Sequence, residues 1–397
     1  MSEPSNSERK SVHPETTAVL GGRVDSEMSL APVLYPTSTF GFNGVDEGHR
    51  LSTAIAPERF YSRYGNPTIN AFEATIAELE GAEAARAFAS GMGAISSVVL
   101  GICSMGDHVV AQRQMYAGTQ LFLQTVCPRM GIDVTFVDGT TPGAFAEAIV
   151  PGKTMLVFGE SPANPRLDLV DLNDLGSISN ALTVLDSTFA TPLGQRPLDY
   201  GVDLVLHSAT KGIAGHNDAT LGVIAGSQDL ISWLWGFATL HGANASPYDA
   251  YNAHRGVRTL GARLRQQAET ALVLSRYLEG RNEVSSVRYP GLASHPQHDL
   301  AVSQMRSMGA LLTFDLSGGV EAGKLFVEAT SIARQATSLG GPETLLCHSA
   351  TTTHVGLTPE ERSASGIGEG TVRVSCGLEH VDDLVADFAQ GLDAAGV

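Results

Sequence analysis

A chain of 397 residues with 43% hydrophobic and 17% charged residues has a globular composition, and it contains no apolar run long enough to span a bilayer. Its formal charge of -17 would repel phosphate backbones, which argues against nucleic acid as a partner. The four cysteines (103, 127, 347 and 376) show no Cys-x-x-Cys spacing, so the expectation is buried small hydrophobes rather than a zinc knuckle or a disulfide framework.

The first sixteen residues are polar and carry no apolar signal core, so a cytoplasmic protein is expected. Residues 1–62 hold prolines and glycines with little periodicity, and read as an extended N-terminal arm. Next comes Ser90-Gly-Met-Gly-Ala, opening a helix-like run from Ile95 to Met105. Glycines at a helix start expose backbone amides that suit an anion. Short apolar runs then recur at Asp107–Ala111, Ile132–Val137, Thr154–Phe158, Leu182–Asp186, Asp203–His207 and Thr220–Ala225. Each is followed by turn residues and a helix-like stretch, the pattern of a mainly parallel sheet covered on both faces. The expected class is therefore α/β over residues 63–257, followed by a smaller α+β domain over 258–397. In that smaller domain Leu260–Leu278 has helical spacing, while Met308–Leu316 and Thr371–Ser375 read as strands.

The chemistry centres on one lysine. There are only four (10, 153, 211 and 324), and Lys211 closes Asp203-Leu-Val-Leu-His-Ser-Ala-Thr-Lys, an apolar strand that delivers an amine to its carboxyl end. An amine forms a Schiff base, which guanidinium does not. This segment alone leaves open a phosphate-holding lysine or a solvated strand end. Asp186 ends the preceding strand 25 residues earlier, so both side chains should emerge at one sheet edge. A carboxylate there matches the partner that a protonated pyridine nitrogen needs, with a helix N-cap as the alternative. Ser208 and Thr210 offer hydroxyls to the same anion as the Ser90 turn. Tyr116 follows a strand and can lie over a ring or simply pack. Arg63, in Tyr61-Ser-Arg, can read a phosphate or belong to a surface turn. Arg373 interrupts an apolar strand, a placement that a bidentate carboxylate would explain. His295-Pro-Gln-His298 and His216-Asn-Asp218 have no evident ligand set, so no metal site is expected.

Taken in order, Tyr61-Ser-Arg, Gly65-Asn-Pro-Thr, Ser90-Gly-Met, Glu160-Ser-Pro-Ala-Asn-Pro, Asp186-Ser-Thr, His207-Ser-Ala-Thr-Lys, Ser338-Leu-Gly-Gly-Pro-Glu and Val372-Arg-Val-Ser resemble one family. It is the Cys/Met-metabolism family of pyridoxal-phosphate enzymes, which includes cystathionine γ-synthases, cystathionine γ-lyases and methionine γ-lyases. The resemblance runs from about residue 17 through most of the chain. It implies a fold-type I transferase with a seven-stranded central sheet and pyridoxal 5'-phosphate as cofactor. Lys211 would hold the cofactor as a Schiff base and shuttle protons, Asp186 would face the pyridinium, and Tyr116 would stack on the ring. Gly91, Met92, Ser208 and Thr210 would hold the phosphate. Tyr61 and Arg63 would reach the phosphate of a neighbouring subunit, in a homotetramer built as a dimer of dimers. Asn164, Ser338 and Arg373 would position an amino-acid substrate, and Glu343 resembles a glutamate of cystathionine-handling members.

The resemblance implies γ-elimination of a group at Cγ, with γ-replacement on an O-acylhomoserine, or loss of a non-sulfur group, as alternatives. Tyr289-Pro-Gly-Leu-Ala-Ser-His-Pro-Gln and Thr358-Pro-Glu-Glu-Arg are similar to methionine γ-lyases. The chain departs from that pattern at Gly118, where those enzymes carry cysteine, at Ala238-Thr239 in place of Lys-Asp, and at Gly341 in place of aspartate. Gly212 departs as well, since many relatives carry a bulky residue after the lysine.

Overall fold

The computed structural model describes residues 12–23, 28–356, 358–364 and 366–396. Seven strands form the larger sheet: β1 (Ala84–Phe88), β2 (His108–Gln112), β3 (Asp133–Val137), β4 (Thr154–Glu160), β5 (Leu182–Asp186), β6 (Leu204–His207) and β7 (Gly222–Gly226). Their spatial order is β1-β7-β6-β5-β4-β2-β3. The pairs from β6 through β3 are parallel, and β7 is antiparallel to both its neighbours. Six of the seven occupy the anticipated apolar runs. The exception is β1, whose Ala-Ala-Arg-Ala-Phe carries little strand signal because alanine fits a pleated surface poorly.

Alternation along these strands explains why their sequences read as unbroken apolar runs. Val109, Leu156, Phe158, Val184, Leu204 and Leu206 fill a core on one face. Val110, Val157 and Leu185 point into a second, and Val205 and Val223 into a third on that same opposite side. Successive side chains point to opposite faces, and helices cover both.

Five strands form the smaller sheet: β8 (Val284–Arg288), β9 (Leu311–Leu316), β10 (Arg334–Gln335), β11 (Leu345–His348) and β12 (Thr371–Ser375), in the order β10-β11-β12-β9-β8. All its pairs are antiparallel except β10 with β11. One face packs on Ala271, Leu274 and Leu278 of the helix Leu260–Glu279 and on Phe326 and Phe388 of the helices Gly319–Ala329 and Val381–Ala395.

The described part of the N-terminal segment is partly helical. It holds helices Pro14–Leu20 and Gly44–Thr53, and Ala18 of the first is buried in the core beside Ile69 and Phe72. Among the described residues no helix is long and apolar enough to cross a membrane.

Candidate active site

A cavity of about 540 Å³ opens where the carboxyl ends of β4, β5 and β6 meet the smaller sheet. Parallel neighbours put Asp186 at the end of β5 opposite Leu206 of β6, so the segment Ser208–Lys211 emerges beside it. Lys211 Nζ donates to Ser338 Oγ at 2.9 Å. Burial, and then the positive charge of Arg373, lower the pKa of this amine below the ordinary lysine range.

Asp186 is buried, and its Oδ1 accepts from the Thr188 amide at 2.9 Å and the Thr188 hydroxyl at 2.5 Å. This is a turn closed two residues on, not a helix N-cap: the next helix, Thr191–Gly194, starts after Ala190. Thr188 Oγ1 also accepts from the Ser208 amide at 2.8 Å, locking the Asp186 loop to the lysine loop. Burial raises the Asp186 carboxyl above the usual carboxylate range against the opposing pull of the Thr188 bonds.

The helix Gly91–Ile102 points its N-terminus at the same cavity. Ser90 caps it, accepting from Gly93 N at 3.0 Å, while the first two helical amides, at Gly91 and Met92, have no intrahelical acceptor. A Cβ on Gly91 would lie 2.9 Å from Ser208 Cβ, so glycine permits this close approach. Thr210 also lines the cavity, though its hydroxyl donates to Leu221 O at 3.1 Å and accepts from Leu221 N at 2.8 Å.

Arg373 comes from the middle of β12, paired with Cys347 and Thr313 on either side. Its guanidinium is buried and, among the described residues, meets only neutral acceptors, Asn164 Oδ1 at 3.0 Å and Ser338 O at 2.9 Å. A buried cation without a carboxylate in contact suits an anion that arrives from outside. Ser338 holds this arrangement with a left-handed φ of 79°.

Tyr116 precedes the helix Ala117–Thr125 and is 48% exposed at the cavity rim. Its ring lies over Gly118, where a Cβ would come within 2.5 Å of Tyr116 Cε1. Of the positions that depart from methionine γ-lyases, Gly118 is the one that lines this cavity among the described residues. Ala238 and Thr239 are buried in the helix Gln228–His241, and a side chain on Gly341 would meet Asn217.

Three anticipated residues lie away from this cavity. Arg63 donates to Thr239 O at 2.9 Å and stacks 4.6 Å from the centre of the Tyr64 ring, while Tyr61 is 42% exposed beside it. Glu343 accepts from Asn217 Nδ2 at 2.8 Å. His295 and His298 are engaged locally, by the Gln297 amide and by Pro290 O.

Sequence reasoning overlooked Glu160 and Thr188, although both stand in quoted motifs. Glu160 ends β4 as Asp186 ends β5, directly opposite it in register. It is 4% exposed, accepts from the Tyr116 amide at 2.7 Å and the Asn164 amide at 2.8 Å, and lines the cavity. Burial, then the nearby Asp186 charge, push its carboxyl up to about 8. The legible signal was an acidic residue closing an apolar strand.

A family model described as Cys/Met metabolism PLP-dependent enzyme matches residues 15–393. An L-methionine γ-lyase of Porphyromonas gingivalis is 42% identical over 386 residues, covering 96% of this chain and 96% of that protein. An O-succinylhomoserine sulfhydrylase of Pseudomonas aeruginosa is 40% identical over 384 residues, covering 96% and 95%. The crystal structure of cystathionine γ-synthase from Xanthomonas oryzae pv. oryzae in complex with cystathionine is similar with a TM-score of 0.91 at 36% identity, covering 98% of this chain and 99% of that one.

Proposed function

The chain belongs to the Cys/Met metabolism PLP-dependent enzyme family, and we propose that it catalyses γ-elimination on an L-amino acid with a leaving group at Cγ, giving 2-oxobutyrate and ammonia from an unbranched substrate. The observation that carries this reading is the convergence of Lys211, Asp186, Arg373, which bonds only neutral acceptors among the described residues, and Tyr116 on one cavity of about 540 Å³. Pyridoxal phosphate requires an amine, an anion for its ring nitrogen and donors for its phosphate. Lys211, Asp186, and the Gly91 and Met92 amides with Ser208 and Thr210 meet those needs. When bound, the cofactor supplies an electron sink for negative charge developing at the substrate's α-carbon.

In this reading the protein's own groups orient the substrate and move protons. Arg373 binds its carboxylate, held in place by Asn164 and Ser338. Lys211, with its affinity for protons lowered by burial, removes the proton at Cα, gives that proton up, and as a neutral amine again removes one at Cβ. Tyr116 delivers a proton to the departing group. Gly118 lets the Tyr116 ring lie directly over it, a position that any side chain there would displace.

The assembly we propose is a cytoplasmic homotetramer with shared sites. The lining's two cations, Lys211 and Arg373, are committed to amine and carboxylate chemistry, so Arg63 and Tyr61 of a neighbouring copy would complete the phosphate end. Apolar side chains left in solvent, among them Met28, Val45 and Leu240 at 85% exposure or more, support burial between copies. The four cysteines are buried and unpaired, as suits a reducing compartment. We divide the chain into an arm (1–62), a cofactor-binding domain (63–257) and a C-terminal domain (258–397). Glu343, bonded to Asn217, would act on substrate only indirectly.

A second reading, γ-replacement on an O-acylhomoserine, is favoured by the similarity to the sulfhydrylase. One panel separates them: cystathionine, methionine, homocysteine and O-acylhomoserines, each with and without added thiol. The first reading expects 2-oxobutyrate from a thioether without thiol. A thioether product formed only from acylhomoserine plus thiol overturns it in favour of the second.

A further inference from the structure

Glu160 is a buried carboxylate at the centre of the larger sheet, and no described residue forms a salt bridge to it. Such a group is costly unless both of its oxygens are hydrogen-bonded. Here each oxygen has its own amide, Oε2 from Tyr116 at 2.7 Å and Oε1 from Asn164 at 2.8 Å. The Glu160 amide is itself anchored, donating to Gln112 Oε1 of β2 at 2.8 Å. The two amides it holds belong to opposite ends of the cavity. Tyr116 stands at the rim, at the start of a helix that no side chain caps. Asn164 orients Arg373, accepting from its Nη1 at 3.0 Å.

We propose that Glu160 is a positioning residue that ties the leaving-group end of the site to its carboxylate end. It acts through Tyr116 on one side and through Asn164 and Arg373 on the other, and touches no reacting atom itself. Ionised, as it is above about 8, Glu160 suits this task because it accepts at both oxygens. Glutamine accepts at one and turns an NH₂ toward the other amide, where two donors oppose each other. The inference rests on the roles proposed above for Tyr116 and Arg373.

The test, run at about pH 9 where Glu160 is ionised, is Glu160→Gln alone and combined with Tyr116→Phe, in the cofactor-loaded protein, with Arg373→Lys as a reference. Losing a hydrogen bond to a charged group predicts a kcat about 10- to 100-fold lower for Glu160→Gln. The dissociation constant for glycine, an amino acid without a leaving group, read from cofactor absorbance, should rise about tenfold. The double variant Tyr116→Phe/Glu160→Gln should have a kcat within about threefold of Tyr116→Phe alone, since Glu160 acts through Tyr116. A merely structural role would instead lower kcat multiplicatively and leave glycine binding unchanged, and that result overturns the proposal. So does a Glu160→Gln variant with wild-type kcat and glycine affinity. If Tyr116→Phe and Arg373→Lys are themselves silent, the underlying site reading has failed, which is a different pattern. Should Glu160→Gln not fold, Glu160→Asp keeps the charge but is one methylene too short. It should still lose at least about tenfold in kcat, and wild-type behaviour would sink the idea.

Discussion

The two sheets furnish the cavity by different routes. The parallel sheet supplies its groups at strand ends: Tyr116 after β2, Glu160 closing β4, Asp186 closing β5, and Ser208 through Lys211 after β6. The antiparallel sheet supplies Arg373 from the middle of β12 and Ser338 from a left-handed loop between β10 and β11. Glu160 and Asp186 are the last residues of their strands, and Tyr116 and Ser208 through Lys211 stand on the segments beyond, whereas Arg373 is held on both sides by neighbouring strands. The cofactor half of the site is thus a product of topology, and the substrate half a product of cross-strand packing.

That contrast can be broken most severely at Lys211. Lys211→Ala should lower kcat by about a thousandfold or more, even with cofactor in excess, since it removes the group proposed to move two protons. Turnover with single-substrate kinetics checks this, and a loss below about tenfold would contradict the assigned role. On the other sheet, Arg373→Lys should mainly raise KM, with kcat/KM down about 100-fold, because ammonium does not reproduce the planar two-point grip on a carboxylate. An equal loss in kcat with KM unchanged would mean that the guanidinium works in the transition state instead.

A smaller effect is expected at Gly118. A cysteine there places its Cβ where the Tyr116 ring now lies, 2.5 Å from Cε1, so the ring must shift and the cavity narrows. Gly118→Cys should lower kcat about tenfold on cystathionine and raise the preference for methionine over cystathionine, measured as the ratio of their kcat/KM values. The further change of Ala238-Thr239 to Lys-Asp should add little within one chain, because neither residue reaches the cavity.

The smallest expected effect separates the two regions by pH. His295 and His354, buried beside the smaller sheet, have their pKa values lowered to about 4, chiefly by burial. Their folded values lie below the unfolded one, so their contribution is full above about 6.5 and is lost as pH falls toward 4. Glu160 and Asp186 in the larger sheet are shifted the other way, Glu160 to about 8. Their contribution is full below the unfolded carboxylate value and lost as pH rises through about 8. Hydrogen exchange of the cofactor-free protein should therefore quicken around His295 and His354 at pH 5, and around the ends of β4 and β5 at pH 8. Uniform quickening in both regions at one pH would contradict the assignment.

Much of the cofactor half could be read without coordinates. Parallel strands buried on both faces leave continuous apolar runs, and a polar residue closing such a run marks the sheet edge where ligands bind, which located Lys211 and Asp186. Arg373 was conspicuous for a related reason, as a cation inside an apolar strand. Glu160 carried the same mark as Asp186 and was passed over, because what it holds is backbone amide, and an amide leaves no trace in residue type. The alanine-rich β1 was hidden too, since its strand conformation comes from pairing with β7 and not from local preference.

The sequence by itself determined the α/β class, the family and the cofactor, because those depend on periodicity and on short motifs whose members are neighbours in the chain. Tertiary structure alone decided that Ser338 meets Lys211 across 127 positions, that Arg373 is left without a carboxylate, that Glu343 turns to Asn217, and that Gly118 makes room for the Tyr116 ring. Such contacts arise from the packing of one sheet's loops against the other, at separations over which no local pattern constrains residue identity.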